Sequence, residues 1–337
     1  LDAETREQLI SSVRRFVDER LRPIDVIAIE ITPACRGVSG QPSLPQVSCM
    51  PRRAVQRRAA ASLDAYGAAA REACDSAEHP ASTPIAVMFD VTGSMGQVPV
   101  TLQKRLPDLL GLLTRGGYAT DPQILVGAIG DDRYDTVPLQ VGQFESDNRI
   151  DEQLRDIYLE RGGGGDRMEG YALAAYFLAT RARLDSLDNR GRKGYLFIVG
   201  DEMNKPQLYA ESVRRFIGDE VRQDMAVDEV YRMLDEKFFT YYIVPRLTSY
   251  YNEPWLEDHW RRIVGERFLR LEDPQAVCEL IALTVGLMED SISLEEGLDD
   301  LQRIGSTGTA AVGKALARIN RGAAVAVATG GVLPADL

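Results

Sequence analysis

A carboxylate and two hydroxyl groups alternate along one short segment of this sequence. Asp90, Thr92 and Ser94 occupy every second position directly after an apolar run at residues 85–89. A tight turn that leaves a strand can direct alternate side chains to one point, and Gly93 lets the backbone make that turn. A ligand set made only of oxygens favours a hard divalent cation. The segment therefore predicts a site for Mg²⁺ or Mn²⁺.

Two further acidic residues follow glycines in later loops. Asp201 comes after a second apolar run at residues 195–199, and Asp166 ends the glycine run 162–165. Neither loop contains His or Cys, so oxygen atoms remain the only ligands on offer. We predict that Asp166 and Asp201 join the metal site.

Plain structural roles are the alternatives for all of these residues. The segment 90–94 could be a capped turn between a strand and a helix. Asp166 could cap the helix that follows it, and Asp201 could cap its own loop. Asp131 and Asp132 follow another apolar run, and we interpret them as a solvated turn.

The elements that must position these loops alternate between strands and helices. Apolar runs predict strands at residues 85–89, 124–129, 137–144, 195–199 and 238–244. Helical periodicity predicts helices at residues 98–115, 168–183, 254–264 and 274–289. Such alternation is typical of an α/β fold with a doubly wound, Rossmann-like, mostly parallel sheet and helices on both faces. Ligands bind such sheets beyond the carboxyl ends of the strands, where these loops converge.

The segments that flank this α/β region differ from it in composition. Helices are predicted at residues 4–22 and roughly 53–75, and a loop rich in Gly, Pro and Ser at 34–52. Near the other end, one helical pattern around residues 309–320 fades into small residues, and we expect it to be peripheral. We therefore predict a helical N-terminal extension and linker at 1–82, an α/β domain at 83–289, and a C-terminal helical segment and tail at 290–337.

The first loop also resembles a known family motif. The segment DVTGSMG, residues 90–96, resembles the metal-ion-dependent adhesion site of von Willebrand factor type A domains, whose first loop reads Asp-x-Ser-x-Ser. Asp201 after YLFIV resembles the family's late acidic residue, and GGGGDRMEGYAL resembles its Gly-Gly-Thr loop. The resemblance covers roughly residues 83–285. It implies that Thr92 and Ser94 bind the metal directly, whereas Asp201 and the first aspartate act partly through water.

The glycine loop departs from the family pattern, because no Thr follows its glycines. Asp166 is the nearest oxygen ligand there. If Asp166 takes the place of the Thr, three carboxylates surround one cation. We expect such a site to bind metal more firmly and to prefer acidic partner residues less than family members with Thr do.

The resemblance implies a non-enzymatic protein-interaction module in which a partner side chain completes the coordination of the metal. Bacterial relatives often act beside AAA+ ATPases, so an AAA+ partner is expected. One alternative is a Mg²⁺-dependent phosphatase of haloacid-dehalogenase type with Asp90 as the nucleophile. Thr92 stands where such an enzyme needs its acid–base carboxylate. Another alternative is a scaffold or assembly subunit whose metal site is only structural.

The composition argues against several other classes of protein. The chain has 51 acidic and 39 basic residues, and its net charge of -12 disfavours binding to nucleic acid. No apolar run reaches the roughly 18 residues that a membrane-spanning helix needs. The four cysteines lack CxxC spacing, which favours isolated reduced thiols and a cytoplasmic location. Gly308, Gly313 and Lys314 nearly match a phosphate-binding loop, but no apolar strand precedes them.

Overall fold

The computed structural model describes residues 59–317, so the helix predicted at 4–22 and the loop predicted at 34–52 lie outside the described residues. The strands in this part are β1 Arg71–Ala73, β2 Thr83–Asp90, β3 Pro122–Ile129, β4 Leu139–Val141, β5 Met168–Glu169, β6 Ala182–Leu184, β7 Gly194–Val199, β8 Met203–Asn204, β9 Gln207–Leu208, β10 Met225–Ala226, β11 Phe238–Pro245 and β12 Phe268–Leu271. The α-helices are Val98–Arg105, Pro107–Arg115, Arg149–Asp156, Tyr171–Arg181, Asp185–Arg190, Ala210–Phe216, Val227–Asp235, Pro254–Val264, Val277–Met288 and Leu294–Arg303, followed by a helical run at 309–317. None of these helices is long and apolar enough to cross a membrane.

The central sheet has six strands in the order β12-β11-β7-β2-β3-β4. All neighbouring pairs are parallel except β3 and β4, which are antiparallel. The chain builds outward from β2 first through β3 and then, on the other side, through β7. Such a reversal of strand order leaves a crevice at the carboxyl ends of the central strands. The register brings these ends level, since Asp90 lies opposite Ile129 and Phe89 lies opposite Val199.

Helices cover both faces of the sheet, which explains why β2, β3 and β7 are buried along their whole length. In β2, Ile85, Val87 and Phe89 pack into one hydrophobic cluster, and Ala86 and Met88 pack into the other. This alternation is the two-residue period of a strand. The predicted α/β fold class, a doubly wound and mostly parallel sheet with helices on both faces, is confirmed.

Several predicted element boundaries were wrong, each for a local reason. The helix predicted at 98–115 is two helices that meet at Leu106, because Pro107 cannot donate a backbone hydrogen bond and begins a new helix. The helix predicted at 168–183 begins only at Tyr171, because Met168–Glu169 pairs in parallel with β8.

Both flanks of the α/β region also differ from prediction. Residues 59–75 contain turns and β1, which pairs with β6, so the helix predicted at 53–75 is wrong over this range. At the other end, the helix Leu294–Arg303 was missed, although Ser293 and Glu296 form a capping box at its start. Leu301, Val312 and Leu316 are buried in the main core, so residues 290–317 are not peripheral. The domain boundaries at residues 82 and 289 stay a prediction.

Candidate metal centre

The first loop folds back on its own aspartate directly after β2. Asp90 is fully buried, and its Oδ1 accepts hydrogen bonds from the Thr92 backbone N–H at 2.8 Å and from Thr92 Oγ1 at 2.6 Å. Thr92 Oγ1 and Ser94 Oγ lie 3.2 Å apart. The every-second-residue spacing therefore does bring the carboxylate and both hydroxyls to one point. Asp90 also stabilises its own turn, which is the plain structural role that the sequence left open.

The second acidic residue arrives from the neighbouring strand. Asp201 follows the end of β7 and is fully buried. Its Oδ1 accepts a hydrogen bond from Ser94 Oγ at 2.7 Å, and its Oδ2 accepts one from the Tyr250 backbone N–H at 3.1 Å. Asp201 thus links the first loop to the loop after β11 by hydrogen bonds. The structure brings together Asp90, Thr92, Ser94 and Asp201, as the strand ends require.

Asp166 forms no hydrogen bond with any of these four residues. Its side chain is exposed, and Oδ1 accepts a hydrogen bond from the Met168 backbone N–H at 3.2 Å. The following helix begins at Tyr171 with Gly170 as its N-terminal flanking residue, so the alternative that Asp166 caps this helix is wrong. No group of three or more His, Cys, Asp or Glu side chains within residues 59–317 is already arranged to hold a metal. A metal ligand role for Asp166 stays a prediction.

The negative charge of the two buried carboxylates is not offset by a basic side chain of the described chain. No Lys, Arg or His of the described chain forms an ion pair with Asp90 or Asp201. Burial and the nearby charge of Asp201 raise the pKa of Asp90 to about 8. Burial likewise raises the pKa of Asp201. Two carboxylates buried side by side need a proton or a cation between them.

Tyr171 orients the Asp90 carboxylate through a hydrogen bond. Its hydroxyl donates a hydrogen bond to Asp90 Oδ2 at 2.6 Å. The ring makes edge-to-face contacts with Tyr242 and Trp260, at centroid distances of 5.9 and 5.3 Å. Gly200 lies against this ring, because a Cβ at that position would stand 2.3 Å from the Tyr171 hydroxyl. The absence of a side chain at Gly200 therefore leaves room for the support of Asp90.

Replacing Gly200 by Ala is expected to destabilise the chain by about 1–3 kcal/mol, the usual cost of overpacking a core. The new methyl group must push the Tyr171 hydroxyl away from Asp90. Urea unfolding of the variant measures the change. Gly313→Ala is the matched control, since the nearest atoms there belong only to the flexible Leu298 side chain at 3.2 Å or more. A Gly200→Ala variant as stable as the wild type would contradict the tight contact.

The loop after β3 corrects another prediction. Asp131 is 0% and Asp132 5% exposed, so they are not a solvated turn. Lys205, itself 5% exposed, places Nζ 3.0 Å from Asp131 and 3.3 Å from the Met168 carbonyl oxygen. Asp132 accepts a hydrogen bond from Ser212. The pairing of Asp131 with Lys205 joins residues 74 positions apart, and no local pattern in the sequence signals it.

Two buried glutamates beside the site were also missed. Glu169 in β5 is 1% exposed and Glu202, directly after Asp201, is 5% exposed. Burial raises the pKa of both carboxyl groups, and each lies close enough to the other to affect its pKa. Asp90 lies close enough to raise the pKa of Glu169 further. The only signal for these two glutamates in the sequence was their position shortly after glycines, the run 162–165 for Glu169 and Gly200 for Glu202.

Comparison with known proteins gives distant matches. No protein-family model and no curated protein matches the sequence. Among solved structures, the chain is similar to proximal thread matrix protein 1 from the mussel byssus (12% identity, TM-score 0.40, covering 63% of this chain and 48% of that one). It is also similar to the pilus adhesin SpaC from Lactobacillus rhamnosus GG (8% identity, TM-score 0.43, covering 62% of this chain and 30% of that one). A third similar structure is the vWF domain of the type V pili tip protein Mfa5 from Porphyromonas gingivalis (8% identity, TM-score 0.40, covering 63% of this chain and 97% of that one). The chain spans less than two thirds of the length of the first two proteins, and the fold assignment depends on the sheet topology alone.

Proposed function

We propose that this chain is a protein-interaction module that depends on a divalent cation held by Asp90, Thr92, Ser94 and Asp201. The observation that supports it most is the buried pair of carboxylates, Asp90 and Asp201. Thr92 and Ser94 link them by hydrogen bonds, and neither carboxylate has a cationic partner in the described chain. The motif resemblance to von Willebrand factor type A domains points the same way.

The donors present suit Mg²⁺ or Mn²⁺. They are carboxylate and hydroxyl oxygens without nitrogen or sulfur, which is the chemistry that hard divalent cations prefer. A bound cation would neutralise the buried charge and offer an open position to an oxygen of a partner. The chain's own part is to hold the ligands on two level strand ends, with Tyr171 fixing the orientation of Asp90.

The rim of the site offers a surface for a protein partner. Arg161, Arg167 and Arg246 are exposed and form no ion pair with any described residue, and Leu247 is 76% exposed. Arg161, Arg167 and Leu247 have φ values of 56°, 64° and 78°, in the left-handed region that non-glycine residues rarely adopt. Strained backbone of this kind concentrates at functional sites. An apolar and basic rim in an acidic chain fits a protein segment with apolar and acidic side chains.

The phosphatase alternative gains little from the structure. Thr92 lies at the position that needs an acid–base carboxylate, and its hydroxyl is hydrogen-bonded to Asp90. A lysine near Asp201 would also suit such an enzyme, but Lys193 precedes the amino end of β7, at the opposite edge of the sheet, where it pairs with Asp235 at 3.4 Å. A scaffold with a structural metal would lose stability on metal removal and keep its partner contacts. An AAA+ ATPase as the partner, and a cytoplasmic location, stay predictions.

Calorimetric titration of Mg²⁺ and Mn²⁺ into the wild type and Asp90→Asn tests the proposal. We expect saturable binding at one site by the wild type and none by the variant, because the amide removes the charge and keeps the shape. Asp147→Asn, at an exposed aspartate paired with Arg149, is the matched control and should bind as the wild type does. A folded wild type that binds neither cation would refute the proposed function.

A further inference from the structure

We infer that Glu169 is a further carboxylate ligand of the proposed cation site, in the role that the sequence had assigned to Asp166. This inference rests on the proposed function, because it names an additional ligand of the same site. Glu169 belongs to the short strand β5, between the glycine loop and the helix Tyr171–Arg181.

The first support is an unsatisfied buried oxygen. Glu169 is 1% exposed, and its Oε2 has no hydrogen-bond partner in the structure. A buried carboxyl oxygen without a partner costs free energy that folded proteins rarely leave uncompensated. Lys205 does not neutralise it, since that ammonium group pairs with Asp131 and contacts the Met168 carbonyl oxygen. No hydrogen-bond donor of the described chain therefore satisfies Glu169 Oε2, and a cation could contact this oxygen.

The second support is the position of the carboxyl group next to the first loop. Gly163 separates the two: a Cβ there would lie 3.6 Å from Glu169 Oε1 and 3.8 Å from Thr92 Cβ. Gly163 has a φ of 139°, which disfavours any side chain at this position. No side chain of residue 163 therefore stands between Glu169 and Thr92. The glycine loop is itself fixed on the first loop, because Gly93 N–H donates a hydrogen bond to Gly162 O at 2.6 Å.

Asp166 meets neither condition. It is exposed, and it accepts a hydrogen bond from the Met168 backbone N–H in its own turn. Glu169 is three positions further along the chain, and the pairing of β5 with β8 brings it beside Asn204 and close to Glu202. The strand pairing thus selects which acid of the loop is buried at the site.

Binding of the cation would require Glu169 to move toward the first loop. No three acidic side chains within residues 59–317 converge at metal-ligand distance in the present arrangement. A divalent cation would supply the partner that Glu169 Oε2 lacks.

Titration of Mn²⁺ into the wild type, Glu169→Gln and Asp166→Asn tests this assignment. We expect Glu169→Gln to weaken Mn²⁺ binding at least tenfold and Asp166→Asn to change it less than threefold. Electron paramagnetic resonance of free Mn²⁺ gives an independent count of bound ions. Thermal unfolding without metal checks that Glu169→Gln and Asp166→Asn are folded.

The possible outcomes separate the two proposals. Wild-type affinity in Glu169→Gln would overturn the assignment of Glu169 and leave the proposed function standing. An equal loss in Asp166→Asn would also overturn it, because general charge rather than contact would then explain the effect. No Mn²⁺ binding by the wild type would overturn both. If Glu169→Gln fails to fold, Glu169→Asp serves instead, and it should weaken binding because its shorter side chain keeps the charge but loses the reach.

Discussion

Replacing Lys205 by Met is expected to destabilise the folded chain by about 3–5 kcal/mol, the usual cost of breaking a buried ion pair on one side. Lys205 and Asp131 are 5% and 0% exposed, and Nζ lies 3.0 Å from the carboxylate. The variant would leave the Asp131 charge buried without compensation, in a region that already contains Asp132 and Glu169. Urea unfolding followed by circular dichroism measures the loss.

A surface pair and a double variant provide the controls. Lys193→Met breaks an ion pair with Asp235 whose side chains are 29% and 56% exposed, so it should cost at most about 1 kcal/mol. The double variant Lys205→Met, Asp131→Asn should recover much of the lost stability, because it removes both buried charges. A Lys205→Met variant within about 1 kcal/mol of the wild type would show that the buried pair does not hold this loop.

The part of the site that depends on strand ends could be predicted from the sequence. Apolar runs marked β2 and β7, and parallel strands end at a common edge of the sheet. Asp90 and Asp201 therefore had to approach each other, and the two-residue spacing placed Thr92 and Ser94 beside them. The same strand and helix pattern was enough for the fold class. These predictions rest on local periodicity and on a general rule for α/β sheets.

The part that depends on packing between distant segments could not be predicted in this way. Lys205 pairs with Asp131 across 74 positions, and a buried lysine has no distinctive local pattern. Glu169 is buried because Met168–Glu169 pairs with β8, a two-residue strand too short to show periodicity. Burial also depends on the loops above the sheet, which is why Asp131 was wrongly interpreted as solvated and the buried Glu169 was not considered.

The C-terminal helices show a different kind of failure. Ser293 and Glu296 are a recognisable helix start, and Leu294, Leu298 and Leu301 recur at helical spacing after it. The high content of acidic residues in this helix concealed an apolar stripe that packs on the core. Amphipathic helices of this type are identified by periodicity rather than by mean composition.

The affinity for Mg²⁺ or Mn²⁺ is expected to rise by at least about tenfold between pH 6 and pH 8. Burial and Asp201 raise the pKa of Asp90 to about 8 in the cation-free chain, so protons compete with the cation for this carboxylate. Asp90 is therefore mostly protonated at pH 6, and its ionised fraction rises as the pH approaches 8. Calorimetric titrations at pH 6, 7 and 8 in matched buffers measure the change and the protons released.

The same raised pKa has a consequence for stability without cation. Because the folded chain binds the Asp90 proton more tightly than the unfolded chain does, this group's contribution to stability is lost as the pH rises from about 4 toward 8. Saturating cation should cancel that loss, so its stabilising effect on thermal unfolding should be larger at pH 8 than at pH 6. Asp90→Asn should lack both effects. A cation affinity that stays constant from pH 6 to pH 8 would mean that Asp90 is already ionised at pH 6, and the buried carboxylates would then need another source of compensation.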